Sequence, residues 1–362
     1  MQLRSLLTLV IGLIGTVAFL AVAVVFQANV KAYHDDTAEQ AVRVRAQALG
    51  VFFTRALYEE WRQVESSAKE FSGADLSALQ VRLDAIAGSD DKISWMGVAA
   101  PDGTVLASTG GLLSGESVAR RPWFQQGLSG PFAGDVHEAV LLARLLEPPS
   151  GEPLRFVDFS APIVGANNQI AGVLGAHLNW RWVREVVSEA ARQLELDAFV
   201  VNREGTVILS TESIDESNAA LPSFQAARRG VASNFVETWS NGTTYYSFTV
   251  PNLAYADMPP FGWGLVARMD ESAFDLPEKK FQRQMLAAGA IVWFAAVLVF
   301  AFVAGVLIRP LRRLSSTLLA QSRGEPTDYI RQHRRTEEAQ ILSEALARFQ
   351  ATTPGRGPNS QR

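Results

Sequence analysis

The sequence predicts an α+β protein in which two tandem antiparallel-sheet modules follow a long N-terminal helix. A transmembrane helix stands at either end, and a short helical linker follows the second. Three observations lead there: two charge-free apolar runs, a helical stripe after the first, and a strand motif repeated one domain length apart. A chain of 362 residues has room for about two or three such domains.

The first run, Leu6 to Phe26, holds 21 residues without a charge behind Arg4. A cleaved secretory signal has an apolar core of only about 7–15 residues. The run therefore reads as an uncleaved first span, although Phe26-Gln27-Ala28 ends in a small residue as a cleavage site would. The second run, Met285 to Ile308, exceeds the roughly 20 apolar residues a helix needs to cross a bilayer. Charge gives the orientation. Beyond Ile308 there are 10 Arg and 5 acidic residues, net +5, whereas residues 27–284 carry 22 basic and 32 acidic residues, net −10. Short basic flanks stay in the cytoplasm, so residues 1–5 and both termini are expected inside and the 258 residues of 27–284 outside. The acidity of that loop argues against a nucleic-acid partner. With no cysteine there is neither a disulfide nor a thiolate metal site.

Between the spans, residues 31–71 contain no proline and one glycine. Ala38, Val42, Leu49, Phe53, Leu57, Trp61, Val64, Ala68 and Phe71 recur mostly three or four apart, which predicts a long helix with one buried stripe. It packs on its own domain, pairs with a second subunit, or does both. Next, Pro101-Asp102-Gly103-Thr104-Val105-Leu106 reappears 102 residues later as Arg203-Glu204-Gly205-Thr206-Val207-Ile208. Acidic-Gly between apolar runs is a hairpin signal, because glycine takes the positive φ of the tight turn. Further strands are expected at 156–162 and 172–178, matched by 246–251 and 262–268, with a helix over 182–194 joining the halves. The modules are therefore placed at 72–180 and 181–275. Behind the second span, Leu311, Leu314 and Leu318 mark a short helix that Gly324 and Pro326 break. A second helix follows with Leu342, Ala345 and Phe349 on one face, and residues 351–362 are polar and expected to be disordered.

Transmembrane helix, long helix, two PAS-like sheets and a second transmembrane helix together resemble the double Cache sensor domains of bacterial receptors. The resemblance covers residues 27–284 and is most specific at Arg121-Pro122-Trp123-Phe124 and Gly172-Val173-Leu174-Gly175. Residues 309–350 resemble a HAMP linker, with Arg309-Pro310 behind the membrane and Glu337-Glu338 opening the second helix where Asp-Glu is usual. The resemblance implies a two-pass protein of the bacterial inner membrane with a periplasmic sensor domain. It further implies a parallel homodimer and a separate cytoplasmic signalling protein as partners. The function so implied is a sensory receptor subunit that relays ligand binding through its helices. A membrane-anchored binding protein without signalling and a truncated sensor kinase, diguanylate cyclase or chemoreceptor are the alternatives.

Candidate site residues follow from both sources. Arg121 can hold a carboxylate bidentately, and Trp123 and Phe124 can wall an apolar pocket. In amino-acid-binding relatives the arginine and tryptophan of this motif hold the ligand, and aspartates further on take its ammonium. Here Phe124 replaces a common tyrosine, His177 stands in place of one aspartate, and Asp135 lies one residue from another acidic position. An amino acid or organic acid is the implied ligand. The residues alone permit plainer roles: Arg121 paired with Glu116, Trp123 and Phe124 in the core, and His177 hydrogen-bonded there or titrating near neutral pH. Asp158 shares a strand face with Phe156 and Ser160. Arg144 is read as a helix cap or partner contact. The four histidines show no metal spacing, since His137-Glu138 lacks a second histidine four residues on. No nucleophile elbow or phosphate-cradling loop occurs, so neither catalysis nor a cofactor is expected.

Overall fold

The computed structural model describes residues 3–87, 92–139, 142, 145, 153–274, 276–323, 325, 327 and 337–352. Arg144, Gly324, Pro326 and all but two residues of the expected disordered tail lie outside them. The chain divides into two compact units, Tyr33–Asp275 and Met1–Ala32 with Leu276–Arg362.

In the first unit the long helix α1 (Leu3–Glu70) supplies one wall. All nine apolar positions of its predicted stripe, from Ala38 to Phe71, are buried. Two five-stranded antiparallel sheets complete the core. The first has β1 (Ile93–Ala99), β2 (Val105–Ser108), β3 (Phe132–Glu138), β4 (Arg155–Val164) and β5 (Ile170–Asn179), in the order β2-β1-β5-β4-β3. The second repeats it with β6 (Asp197–Val201), β7 (Val207–Ser210), β8 (Asn234–Thr238), β9 (Thr244–Val250) and β10 (Gly264–Asp270), in the order β7-β6-β10-β9-β8. The two repeated turns carry Gly103 at φ +89° and Gly205 at φ +86°, the region an L side chain resists. Each turn joins a paired hairpin, as the motif predicts. The fifth strand of each sheet, β3 and β8, is absent from the sequence reading because neither is a plain apolar alternation.

Side chains alternate across each strand. On β4, Val157, Phe159 and Ala161 join the core shared with α1, while Phe156, Asp158 and Ser160 face the other way. α2 (Leu76–Ala87) flanks β1 and β2, α3 (Pro122–Gly127) covers the outer face of the first sheet, and α5 (Pro222–Arg229) covers the second. Between the sheets runs α4 (Trp180–Gln193), capped by the Asn179 side chain accepting from the Arg181 backbone N–H. Trp263 is the junction of these parts. Its ring stacks on Phe261 at 4.2 Å and on Phe53 of α1 at 6.0 Å, and meets Trp180 edge-on at 5.8 Å. Its indole N–H donates to Asp135 Oδ1 at 2.6 Å, tying the first sheet to the second.

The second unit contains the start of α1, then α6 (Leu276–Ser322) and α7 (Glu337–Thr352). Two helices here are long and apolar enough to cross a membrane, and their apolar side chains are largely exposed, as at Val22 and Phe302. Gly15 lies against the Trp293 ring and Gly289 against Phe19, so small residues let the two helices approach closely. Pro310 sits inside α6, which continues to Ser322 rather than ending behind the span. A proline forgoes one backbone hydrogen bond, and the leucines beyond it still extend the helix. Leu314 packs with Leu342 and Leu346 of α7. Ala345, expected on that face, is exposed, because the buried positions are Ala339, Ser343 and Leu346.

Replacing Trp263 by Phe keeps the stacking but removes the hydrogen bond to the Asp135 carboxylate, whose Oδ1 keeps the Val136 N–H. Loss of such a bond costs about 1.5–3 kcal/mol, which thermal unfolding of the Trp263→Phe protein will read as a lowered Tm.

Candidate functional site

The outward face of the first sheet carries a second hydrophobic layer of Trp95, Val118, Trp123, Phe124, Phe156 and Val173, among others. α3 supplies Trp123 and Phe124 to it. Arg121 precedes that helix in extended conformation, and Pro122 occupies its first turn, where a missing N–H costs nothing. Gly175 beneath is required by the packing, since a Cβ there would collide with the Trp123 ring. Ser160 Oγ donates to the Trp123 carbonyl at 2.6 Å and holds α3 to β4.

Between this layer and the edge strand β3 lies a cavity of about 480 Å³. Polar side chains converge on it from three strands. Asp158 on β4 is 4% exposed. Its Oδ1 accepts from His177 Nδ1 at 2.6 Å and its Oδ2 from His137 Nε2 at 2.8 Å. The His177 ring is sandwiched between Trp95, at 5.0 Å, and Phe156, at 5.3 Å. His137 reaches the site through a bulge. Gly134 pairs with Asp158, but the register then slips so that His137, not Val136, pairs with Phe156. The extra residue turns His137 to the cavity side of the strand.

Hydrogen-bond polarity fixes the proton inventory. His137 Nδ1 lies 2.9 Å from the Glu138 carbonyl oxygen, which only accepts, while Nε2 faces a carboxylate. A ring protonated at both nitrogens, an imidazolium, satisfies both contacts. Its pKa is raised, chiefly by the hydrogen bond to Asp158. Burial alone would raise Asp158; the proximity of His177 and the bonds from both imidazoles outweigh it and hold the carboxyl well below the usual range. The Asp158 and His137 charges cancel. Arg121 also lines the cavity, half-buried, and no described carboxylate pairs with it, Glu116 included. Asp135 and Glu138 line it too, but Asp135 accepts from Trp263, and Glu138 is 3.6 Å from Arg155. Among the described residues the site thus offers a guanidinium without a carboxylate partner beside a charge-paired His137 and Asp158, within aromatic walls.

Of the sequence candidates, Arg121, Trp123, Asp135, Asp158 and His177 line the cavity. Phe124 stands behind Trp123, edge-on at 6.0 Å, in the core rather than the wall. His137, Trp95 and Phe132 line it without having been singled out. The bulge hides His137 from any reading by alternation. Trp95 lies in an apolar run with no other mark.

The second sheet handles the matching place differently. In register, Arg268 pairs with Ser247 and Asp197 as His177 pairs with Asp158 and Trp95. Arg268 is 5% exposed and donates to Asp197 Oδ2 at 2.9 Å. Its guanidinium lies 3.9 Å from the ring centroids of both Trp239 and Tyr245. Cation–π attraction and the ion pair hold it there, filling with a side chain what the first sheet leaves open.

No family model and no curated protein matches the chain. Among solved structures, it is similar to the ligand-binding domain of the Pseudomonas fluorescens chemoreceptor CtaA in complex with L-leucine. Identity there is 14% and the TM-score 0.46, over 68% of this chain and 99% of that one. The ligand-binding domain of the Pseudomonas aeruginosa PAO1 chemoreceptor PctB, in complex with L-Arg, is similar at 16% identity and a TM-score of 0.47, over 65% and 96%. An extracellular domain described as that of a histidine kinase, rpHK1S-Z16, is similar at 12% and 0.49, over 67% and 98%.

Linkage gives this site a pH signature. The depressed Asp158 stabilises the fold above about pH 3.9, and that contribution is lost as pH falls through its folded value. The raised His137 contributes below about pH 6.5 and loses its contribution as pH rises through its folded value. Thermal melts across pH should therefore show wild type losing Tm on both sides of the interval between. Asp158→Asn, about 1–3 kcal/mol less stable inside it, should give a flatter profile.

Proposed function

We propose that the chain is a sensory receptor subunit of the bacterial inner membrane, of the PAS-like double Cache type, whose membrane-distal module binds a small carboxylate. The observation that carries this reading is the half-buried Arg121, with no described carboxylate partner, in the lining of an aromatic-walled cavity. A planar guanidinium matches a carboxylate bidentately, and a cavity of about 480 Å³ suits a small organic molecule. Both oxygens of Asp158 are already engaged by imidazoles. Each oxygen keeps a second acceptor site, but the Asp158 charge is already answered by His137, so an organic acid is favoured over an α-amino acid.

Two apolar helices support membrane anchoring. The basic flank behind the second gives both termini to the cytoplasm. Ligand binding biases α6 and α7, as HAMP-like helices, between two arrangements, by no more than the ligand's differential affinity for them. A homodimer and a separate cytoplasmic signalling protein complete the proposal. The full chain in detergent, screened by thermal shift against organic acids and amino acids, should gain several degrees with an organic acid. Arg121→Ala should lower that ligand's affinity at least about tenfold, the loss of one charge-assisted contact. An unchanged affinity removes Arg121 from the site.

A further inference from the structure

His137, Asp158 and His177 are brought together from three strands, and their ligand atoms all lie within 4.8 Å of one another. The sequence spacing that ordinarily marks a metal site is absent, because the convergence is made by sheet register and a bulge. Two features of the cluster match a metal centre more closely than a hydrogen-bonded triad requires. The outer nitrogen of His137 faces the Glu138 carbonyl at 2.9 Å, which is how metal-bound imidazoles are commonly oriented. The His177 ring is fixed between two aromatic faces with Nδ1 turned to the cluster.

We propose that His137, Asp158 and His177 bind one divalent transition-metal ion at the inner wall of this cavity, leaving its remaining coordination positions open to a ligand. Two imidazoles and one carboxylate favour zinc, nickel, copper or iron over magnesium or calcium, which prefer oxygen donors. Metal–donor distances near 2.1 Å put tetrahedral donors about 3.4 Å apart. The present 2.6 and 2.8 Å contacts, which go to different oxygens of Asp158, therefore open by less than 1 Å, while donor pairs as far as 4.8 Å apart close toward that spacing. His137 can supply that movement, since it sits on edge strand β3 with its side chain 41% exposed. The ion takes the place of the protons on His137 Nε2 and His177 Nδ1, which leave to solvent. Arg121 stays free for a carboxylate. The cavity is the one assigned to the carboxylate above, but metal binding needs neither Arg121 nor an organic acid.

The test is calorimetric titration of the chelator-stripped full chain in nanodiscs with zinc chloride alone, then nickel chloride. One ion per chain is expected, with affinity lowered more than tenfold by His137→Ala and unchanged by Arg121→Ala. His137 is the safe substitution for folding; Asp158→Asn and His177→Ala, both buried, are read only if their melts remain cooperative. Nickel should also quench the fluorescence of Trp95 and Trp123 in wild type and not in His137→Ala. Absence of binding, or binding that survives His137→Ala, overturns the metal site. Stabilisation by an organic acid in the presence of chelator would leave the carboxylate reading standing while the metal reading falls.

Discussion

The outer face of the first sheet is organised by one constraint: a carboxylate lies inside an aromatic layer. An isolated charge there would be prohibitively expensive, so Asp158 has to be answered at both oxygens by groups within hydrogen-bond reach. His177 does so from the neighbouring strand, in register. His137 does so only because β3 breaks its alternation. The glycines follow from the same demand. Gly175 admits the Trp123 ring that roofs the layer, and Gly134 sits opposite Asp158 with Phe132 across it. A buried ion pair rarely adds net stability over an apolar core; here it gives the aromatic layer its polar centre.

The frame that positions this pair comes from elsewhere. One stripe of α1 presents apolar side chains to both sheets at once, so the two modules share a core rather than each closing its own. Trp263 gathers that shared core at a single ring, and its one polar atom ends on Asp135, a residue that also lines the cavity. Occupancy of the cavity and the packing between sheets therefore meet at one hydrogen bond.

Most of the scaffold was legible from periodicity. The α1 stripe, the two hairpins with their positive-φ glycines, the central strands and the joining helix all announce themselves by apolar spacing, because burial on one face dictates them. The edge strands β3 and β8 did not, since β3 mixes Gly134, Asp135, His137 and Glu138 among its apolar residues. The site was partly legible for the same reason. Arg121, Trp123, Asp158 and His177 stand in recognisable motifs or strands, whereas His137 depends on a register slip that no spacing rule encodes. Asp135, singled out as an acidic position near a site, lines the cavity but spends Oδ1 on the Trp263 indole. Sequence gives the residue type; only the fold says which neighbour claims it.

The duplicated sheet has a further consequence. Arg268, gripped by Asp197 and two aromatic rings, is an occupant covalently part of its own chain, present at fixed stoichiometry and unable to dissociate. The matching place in the first sheet carries the smaller His177 beside a cavity of about 480 Å³. Two copies of one architecture on a common helix thus differ at a single register position, where one frame is closed by its own side chain and the other is left open.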